Sequence, residues 1–418
     1  MNTEKIGRAI ITGAGDNRHM NELGRLASTL GVEVVSVVEQ NRRDGAGYLG
    51  RGKREELGDL VKELDADFVI ADDELTASQS RVLEKATKTN VVDRTELIIR
   101  IFEAHAEDSA SKLEVELADL AYRLPRVKGR NEALSRLGGG VGTRGPGEQQ
   151  LEYDRRVIRE RMRVIGNKLK EERSSRSVRG MKLKEHGPPT VALVGYTNAG
   201  KTTILNALSG AERSTRDWLF ETLETTTRLV EGRANGNVFR PDIVVTDTVG
   251  FIRKLPKQLV HSFESTVEAA KSAEVLVLCA DASSSELKDE IQTSMEIVAS
   301  NSVQDQGEGS NSRVILCLNK VDLISESSYS ELRNSYPEAV MISAINGGGD
   351  ALLEQIYSVI ASNRERMEVM IPHSEYASAS RLYSIAEIHH SESTNQGVKL
   401  DITVPKRVAN RYASYRVS

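Results

Sequence analysis

The stretch Gly195-Tyr196-Thr197-Asn198-Ala199-Gly200-Lys201-Thr202 decides the reading of this chain. It fits the pattern GxxxxGK[ST], follows the β-branched run TVALV (190–194) and precedes the helix-forming run TILNAL (203–208). In such a loop Gly195 and Gly200 let the backbone curl, so that the N–H groups from Tyr196, Thr197, Asn198 and Ala199 onward face phosphate oxygens. Lys201 is placed to bridge the β- and γ-phosphates of a nucleotide. The Thr202 hydroxyl is offered to Mg²⁺, and Thr203 follows it in the first helical turn. That helix N-terminus adds a partial positive charge.

Working outward, DTVG (247–250) follows the strand IVVT. Asp247 is placed to hold Mg²⁺, commonly through water, as a strand-end acid does in phosphoryl-transfer sites. Thr248 and Val249 carry the chain to Gly250, whose N–H can approach a γ-phosphate because no side chain intervenes. Next comes NKVD (319–322), after the strand VILCL. Guanine presents two adjacent donors that one carboxylate, Asp322, can accept; adenine lacks the pair. Lys320 would lay its methylene stem over the base, and Asn319 would brace the loops. Ser343-Ala344 follow the run VMI, with the Ala344 N–H expected at the guanine O6. Taken in this order, each after a strand, the four signals predict a GTP/GDP-binding domain. Lys201 and Gly250 are then expected in the catalytic set.

Two positions qualify that picture. Phe251 stands where many such sites carry a water-orienting glutamine, and a phenyl ring can neither accept nor donate the needed hydrogen bond. Slow intrinsic turnover, stimulated by a partner, is expected. Asn198 lies where a K⁺ ion beside the phosphates can be held; an ordinary loop-bracing amide is the other reading.

The rest of the chain sets bounds. Its 418 residues carry 39% hydrophobic, 28% charged and 4% aromatic residues, a globular balance. Lys and Arg number 56 against 61 Asp and Glu, a net charge of −5, which excludes a uniformly basic nucleic-acid binder. Cys279 and Cys317 sit in apolar runs and read as core residues, not as a disulfide framework. The start lacks the pattern of a signal peptide, no run approaches membrane-spanning length, and the ending carries no lipidation cysteine. A monomeric cytoplasmic protein without membrane contact is expected.

The expected class is α/β in four parts. Residues 1–105 alternate strand runs (8–13, 32–39, 67–72, 90–94) with helical stretches, which predicts a parallel α/β domain. Residues 106–189 read as a helical hairpin: Leu113, Leu117, Leu120 and Leu124 recur at helical spacing, and LGGGVGTRGPGE supplies a glycine-rich loop. A second helix is expected over 148–173, then a polar linker over 174–189. Between 151 and 185 there are 12 Lys/Arg against 6 Asp/Glu, either a solvated face or an RNA-binding one. Residues 190–362 predict the P-loop domain with a doubly wound sheet, and 363–418 a small α+β appendage. GAGYLG (45–50) fits GxGxxG, but NRRD separates it from its strand and the following helix reads as poorly placed. No metal spacing appears among seven histidines; His389 and His390 read as alternating between solvent and core. Trp218 reads as packing near the switch.

The motif order resembles the TRAFAC GTPases, and the wider text is similar to the HflX family. The resemblance rests on YLGRGK (48–53), VDRTELI (92–98), LADLAYRLPR (117–126), GTRGPGEQQLEYDRR (142–156), LFETLETTTR (219–228) and DTVGFIRKLP (247–256). It covers about residues 1–362. It implies that Phe220 and Thr222 belong to the nucleotide site, with Thr222 completing the Mg²⁺ shell beside Thr202 and Asp247. Glu221 and Glu224-Thr225 depart from the commoner ATLDPT pattern, which leaves Thr225, Thr226 and Thr227 as neighbours for that role. The resemblance further implies a GTPase that binds the large ribosomal subunit and its RNA and separates stalled or idle ribosomes. The alternative is a GTP-regulated RNA-modification or RNA-remodelling factor, which would need a second catalytic pocket in residues 1–105.

Overall fold

The computed structural model describes residues 7–15, 20–106, 108–129, 146–186, 188–210, 225–232, 240–254, 273–302 and 313–417, with positions 256, 259, 269 and 270 besides. The chain forms two compact units. One comprises Met1–Arg173, Arg216–Glu224 and Ile252–Glu264; the other comprises Ser174–Thr215, Thr225–Phe251 and Ser265–Ser418.

In the first unit four strands, β1 (Gly7–Ala14), β2 (Val32–Gln40), β3 (Phe68–Ala71) and β4 (Asn90–Asp93), pair in parallel in the order β2-β1-β3-β4. These are the four runs expected from sequence. Helices Met20–Thr29, Arg51–Glu63, Ala77–Thr87 and Arg94–His105 alternate with them. A core of Ile10, Leu49, Leu57, Val69 and Leu83 excludes water completely. Thr76 and Gln79 close a capping box on Ala77–Thr87, and the Asp93 carboxylate accepts the Glu96 N–H at 2.9 Å to start Arg94–His105. Contrary to the sequence expectation, a helix does begin at Arg51, directly after GAGYLG; Gln40 Oε1 accepts the Gly50 N–H at 2.8 Å and fixes the entry.

The helix Ser109–Arg123 and the long helix Pro146–His186 form the two arms expected of a hairpin. Arg161 donates to both oxygens of Glu116, at 2.6 and 2.8 Å, to join them. Ile165 and Leu169 of the long arm are buried. On the first arm Val115, Ala118 and Tyr122 are buried, whereas Leu113, Leu117 and Leu120 are half-buried. The second arm does not stop near residue 173. It continues to His186 through the stretch expected as a linker, because SSRSVRGMKLKEH (174–186) lacks proline, and its single glycine, Gly180, weakens a helix without breaking it. Gly187-Pro188-Pro189 come at its end.

The second unit holds a six-stranded sheet. Its strands are β5 (Thr190–Gly195), β6 (Thr226–Val230), β7 (Ile243–Asp247), β8 (Val275–Asp281), β9 (Arg313–Asn319) and β10 (Val340–Met341), in the order β10-β9-β8-β5-β7-β6. All pairings are parallel except β6 with β7. The central runs TVALVG and VLVLCA are buried almost throughout, as expected for strands covered on both faces. The two faces serve two cores. Leu193, Val277 and Cys317 face one shared with Leu205 and Leu352, while Ala280 and Leu318 face another with Leu287. Cys279 and Cys317 lie side by side in register, buried and free of any disulfide.

A three-stranded antiparallel sheet ends the chain: β11 (Arg364–Pro372), β12 (Glu387–Ser393) and β13 (Gly397–Pro405), in the order β11-β13-β12. His389 and His390 are both exposed, not alternating, because the register shifts between Ile388 and His390. A bulge of this kind breaks the two-residue period.

Candidate nucleotide site

The site is built where four strands of the six-stranded sheet end. β5 delivers the glycine loop, which closes on the helix Lys201–Ser209. Gly200 has φ +83°, and a Cβ there would lie 2.3 Å from Asn319 Nδ2, so a side chain is excluded on both counts. Asn198 also turns with positive φ, 63°, at the half-buried rim, while Tyr196, Thr197 and Ala199 are buried. Thr203 sits half-buried in the first helical turn.

Lys201 is 6% exposed. Its Nζ donates to the carbonyls of Tyr196 at 3.0 Å and Gly195 at 3.3 Å, so the ammonium is folded back across the loop it would share with phosphates. Burial pulls its pKa below the ordinary lysine value, opposed by the charge of Asp247. A phosphate arriving beside it would raise that pKa again, since a nearby negative charge favours the ammonium.

Asp247 ends β7, fully buried, and its Oδ2 accepts the Thr202 hydroxyl at 2.7 Å. Two hard oxygen donors from the P-loop and the strand end therefore meet at one point. That donor chemistry fits Mg²⁺, which takes one or two protein oxygens and completes its shell with phosphates and water. Thr248 is held by its hydroxyl on the Leu193 carbonyl at 2.7 Å, Val249 is fully buried, and Gly250 presses on the P-loop. A Cβ on Gly250 would lie 2.7 Å from Thr197 Cα and 2.8 Å from Lys201 Nζ.

Sequence reasoning did not anticipate the backbone role of Phe251. Its N–H donates to the Gly195 carbonyl at 2.9 Å, and the Thr197 N–H donates to the Phe251 carbonyl at 2.8 Å. The DxxG strand end and the P-loop are thereby joined as a short parallel bridge, and the Phe251 ring is 2% exposed. Its backbone pairs with the P-loop while its ring is packed out of reach of water.

At the opposite side Asn319 is 2% exposed and braces two loops at once. Its Nδ2 donates to the Ala199 carbonyl at 3.1 Å and its Oδ1 accepts the Ala344 N–H at 3.0 Å. The Ala344 N–H, expected at a guanine O6, is thus engaged by Asn319; a base can only share it in a three-centre bond. Lys320 turns with φ 64°, and its Nζ lies 2.8 Å from Asp281 Oδ2. Asp281, the first acid after the buried run VLVLCA, was missed from sequence; it anchors the ammonium and so fixes the lysine stem. Asp322 is exposed on a single 3₁₀ turn, and Ser343 precedes buried Ala344. Phe220 and Thr222 lie outside the described residues. Of the neighbouring threonines, Thr226 and Thr227 belong to edge strand β6, where the Thr227 hydroxyl meets that of Thr246 at 3.2 Å.

Acidic residues also gather in the first unit, but with cations. Arg94 is buried against Asp72 at 2.7 Å and against Glu22. Lys254 lies 2.6 Å from Asp72 and 2.9 Å from Asp73, Arg43 also pairs with Asp73, and Arg126 with Asp93 at 2.9 Å. Burial raises the Asp73 pKa, but Lys254 and Arg43 outweigh it and hold it below the ordinary range. Paired carboxylates of this kind are structural ion pairs, not the free acid and base that a second catalytic pocket would need. Among the described residues no group of three or more His, Cys, Asp or Glu is arranged to hold a metal ion. No described helix is long and apolar enough to cross a membrane.

Residues 17–103 match the family described as GTP-binding GTPase N-terminal, 105–182 the GTP-binding GTPase Middle Region, and 190–320 the 50S ribosome-binding GTPase. The chain is 39% identical over 416 residues to GTPase HflX of Caldanaerobacter subterraneus subsp. tengcongensis, covering 98% of this chain and 93% of that one. It is 33% identical over 400 residues to GTPase HflX of Escherichia coli (strain K12), covering 93% and 90%. Among solved structures, that of SsGBP with GDP is similar at 23% identity and a TM-score of 0.46, over 85% of this chain and 99% of that one.

Proposed function

Because the chain belongs to the HflX family of GTPases, we propose that its hydrolysis of GTP is coupled to binding the large ribosomal subunit, and that it separates stalled or idle ribosomes. The observation that carries the ribosomal part is the long basic helix Pro146–His186. Arg156, Arg159 and Arg163 are exposed on it, and Arg156 stands 5.3 Å from the centre of the exposed Tyr153 ring. Guanidinium groups neutralise phosphates, and an exposed ring offers a face to an unpaired base. Half-buried Arg155 extends the same stretch. The family description matched by residues 190–320, a 50S ribosome-binding GTPase, supports the same partner.

In this reading the P-loop amides from Gly195 to Thr203 hold the phosphates. Lys201 swings from its two carbonyls to the β- and γ-phosphates. Thr202 and Asp247, with Thr222, would hold Mg²⁺, which when bound neutralises phosphate charge. Gly250 offers its N–H to the γ-phosphate, beside Thr248 and Val249. Asp322 accepts the paired guanine donors, Lys320 covers the base with the stem that Asp281 anchors, and Ala344 shares its N–H with O6 beside Ser343. Phe251 supplies no water-orienting group, so intrinsic turnover is slow and the ribosome raises it. Asn198, at the P-loop rim, holds K⁺ next to the phosphates. The domain limits follow the four parts expected from sequence, and the protein acts as a cytoplasmic monomer.

The test is GTP turnover by the full chain in KCl and in NaCl, with and without purified large subunits. Stimulation by the subunits is expected, and more in KCl. A rate unchanged by subunits would remove the ribosomal reading, and equal rates in the two salts would remove the K⁺ ion.

A further inference from the structure

Within the P-loop, the Thr197 side chain has no role in the scheme above. Thr197 is 6% exposed, and its Oγ1 is a buried hydroxyl that finds no hydrogen-bond partner among the described residues. Buried hydroxyls are nearly always satisfied, so an unsatisfied one at the rim of a site points to a ligand atom.

Its surroundings say which atom. The point where a Gly250 Cβ would stand is 2.7 Å from Thr197 Cα, 2.8 Å from Lys201 Nζ and 2.9 Å from Thr197 Cγ2. The glycine proposed to meet the γ-phosphate and the Thr197 side chain thus meet within one atom's width, beside the place where the Lys201 ammonium rests before it swings to the phosphates. The methyl Cγ2 is the branch turned toward that point, 2.9 Å from it; one staggered step about χ1 brings the hydroxyl into the methyl's position, and no described hydrogen bond holds the hydroxyl back. The Thr197 backbone, by contrast, is fixed, since its N–H is tied to the Phe251 carbonyl at 2.8 Å. Phe251, at the usual water-orienting position, contributes only backbone here, with its ring buried.

We propose that Thr197 is a catalytic residue of this GTPase, its hydroxyl orienting the attacking water against the γ-phosphate in place of the absent glutamine. Oγ1 accepts a hydrogen bond from the water and donates its own to a γ-phosphate oxygen. The water oxygen forms the new bond to phosphorus. The bond from phosphorus to the β–γ bridging oxygen breaks, its electron pair leaving with GDP. The water proton passes to a γ-phosphate oxygen, and Thr197 itself neither gains nor loses a proton. The inference rests on the P-loop being the GTP site.

The experiment compares the full chain with Thr197→Val, an isostere without the hydroxyl, and Thr197→Ser, which keeps it. Single-turnover GTP hydrolysis, GDP affinity and affinity for GDP with aluminium fluoride are measured for each. Thr197→Val is expected to slow hydrolysis about 10–100-fold, the worth of one hydrogen bond to a charged group. It should weaken the aluminium fluoride complex by a similar factor and leave GDP affinity unchanged. A transition-state contact predicts that split; a packing role does not. Thr197→Ser should recover most of the lost rate. Undiminished hydrolysis by Thr197→Val, with GDP bound normally, overturns the inference alone; so does an equal loss in both variants. Failure of the unaltered chain to bind GDP would overturn the P-loop assignment, and the inference with it.

Discussion

Replacing Asn319 by alanine tests the frame of the site. The side chain is buried and joins two loops that are 120 and 25 residues away in sequence. Alanine leaves the Ala199 carbonyl and the Ala344 N–H, both in buried residues, without the partner that aligns them. An unsatisfied buried group costs about 1–3 kcal/mol, and admission of water to the space left by the side chain favours the low end, about 1–1.5 kcal/mol each. The total is about 2–3 kcal/mol. Without the brace the nucleotide itself must order the P-loop against the Ser343-Ala344 loop, so the cost falls on binding. At 1.4 kcal/mol per factor of ten, GDP affinity should fall about 30–150-fold. The assay is titration of a fluorescent GDP analogue, with far-UV circular dichroism to show that the variant is folded. A folded Asn319→Ala variant that binds GDP within about threefold of the unaltered chain would refute the bracing argument.

Gly250→Ala should lower GTP turnover by about 10²-fold, the usual effect of displacing one donor from a developing charge, because its Cβ meets the Thr197 backbone; steady-state phosphate release reads this. Changing Arg156, Arg159 and Arg163 together to alanine should weaken co-sedimentation with large subunits and flatten its salt dependence. The slope should drop by about one for each lost phosphate contact, and an unchanged slope would place the RNA elsewhere. Glu116→Gln should destabilise the pairing of Ser109–Arg123 with the long helix. The Arg161 side chain beside Glu116 holds that carboxyl below the ordinary glutamate range. The pair therefore stabilises above the unfolded pKa, and its contribution is lost as pH falls through the lower folded value. The difference in melting temperature between variant and unaltered chain should shrink on acidification; a difference constant with pH would show that the ion pair contributes nothing.

The alternating β-branched and helical runs of residues 8–94, and the strands TVALV, IVVT and VILCL with a motif after each, arise from local patterning alone. Periodicity and turn chemistry act over a few residues, and the motifs are contiguous because one loop must cradle one phosphate or one base edge. The same locality made GTP binding legible before any fold was known. It also misjudged the stretch after residue 173, where polar composition suggested a linker but nothing in the chain stops a helix before Gly187-Pro188-Pro189. His389 and His390 failed for a related reason, since a bulge depends on the partner strand and not on the run itself. What only the tertiary structure decided are the contacts between distant segments: Asn319 joining Ala199 to Ala344, Asp281 holding Lys320, and Phe251 joined through its backbone to Gly195 and Thr197. Each pairs a common residue type with a main-chain atom or a charge far along the sequence. No spacing rule encodes such a partner, because the sheet order β9-β8-β5-β7 brings these strand ends together only once the chain has folded.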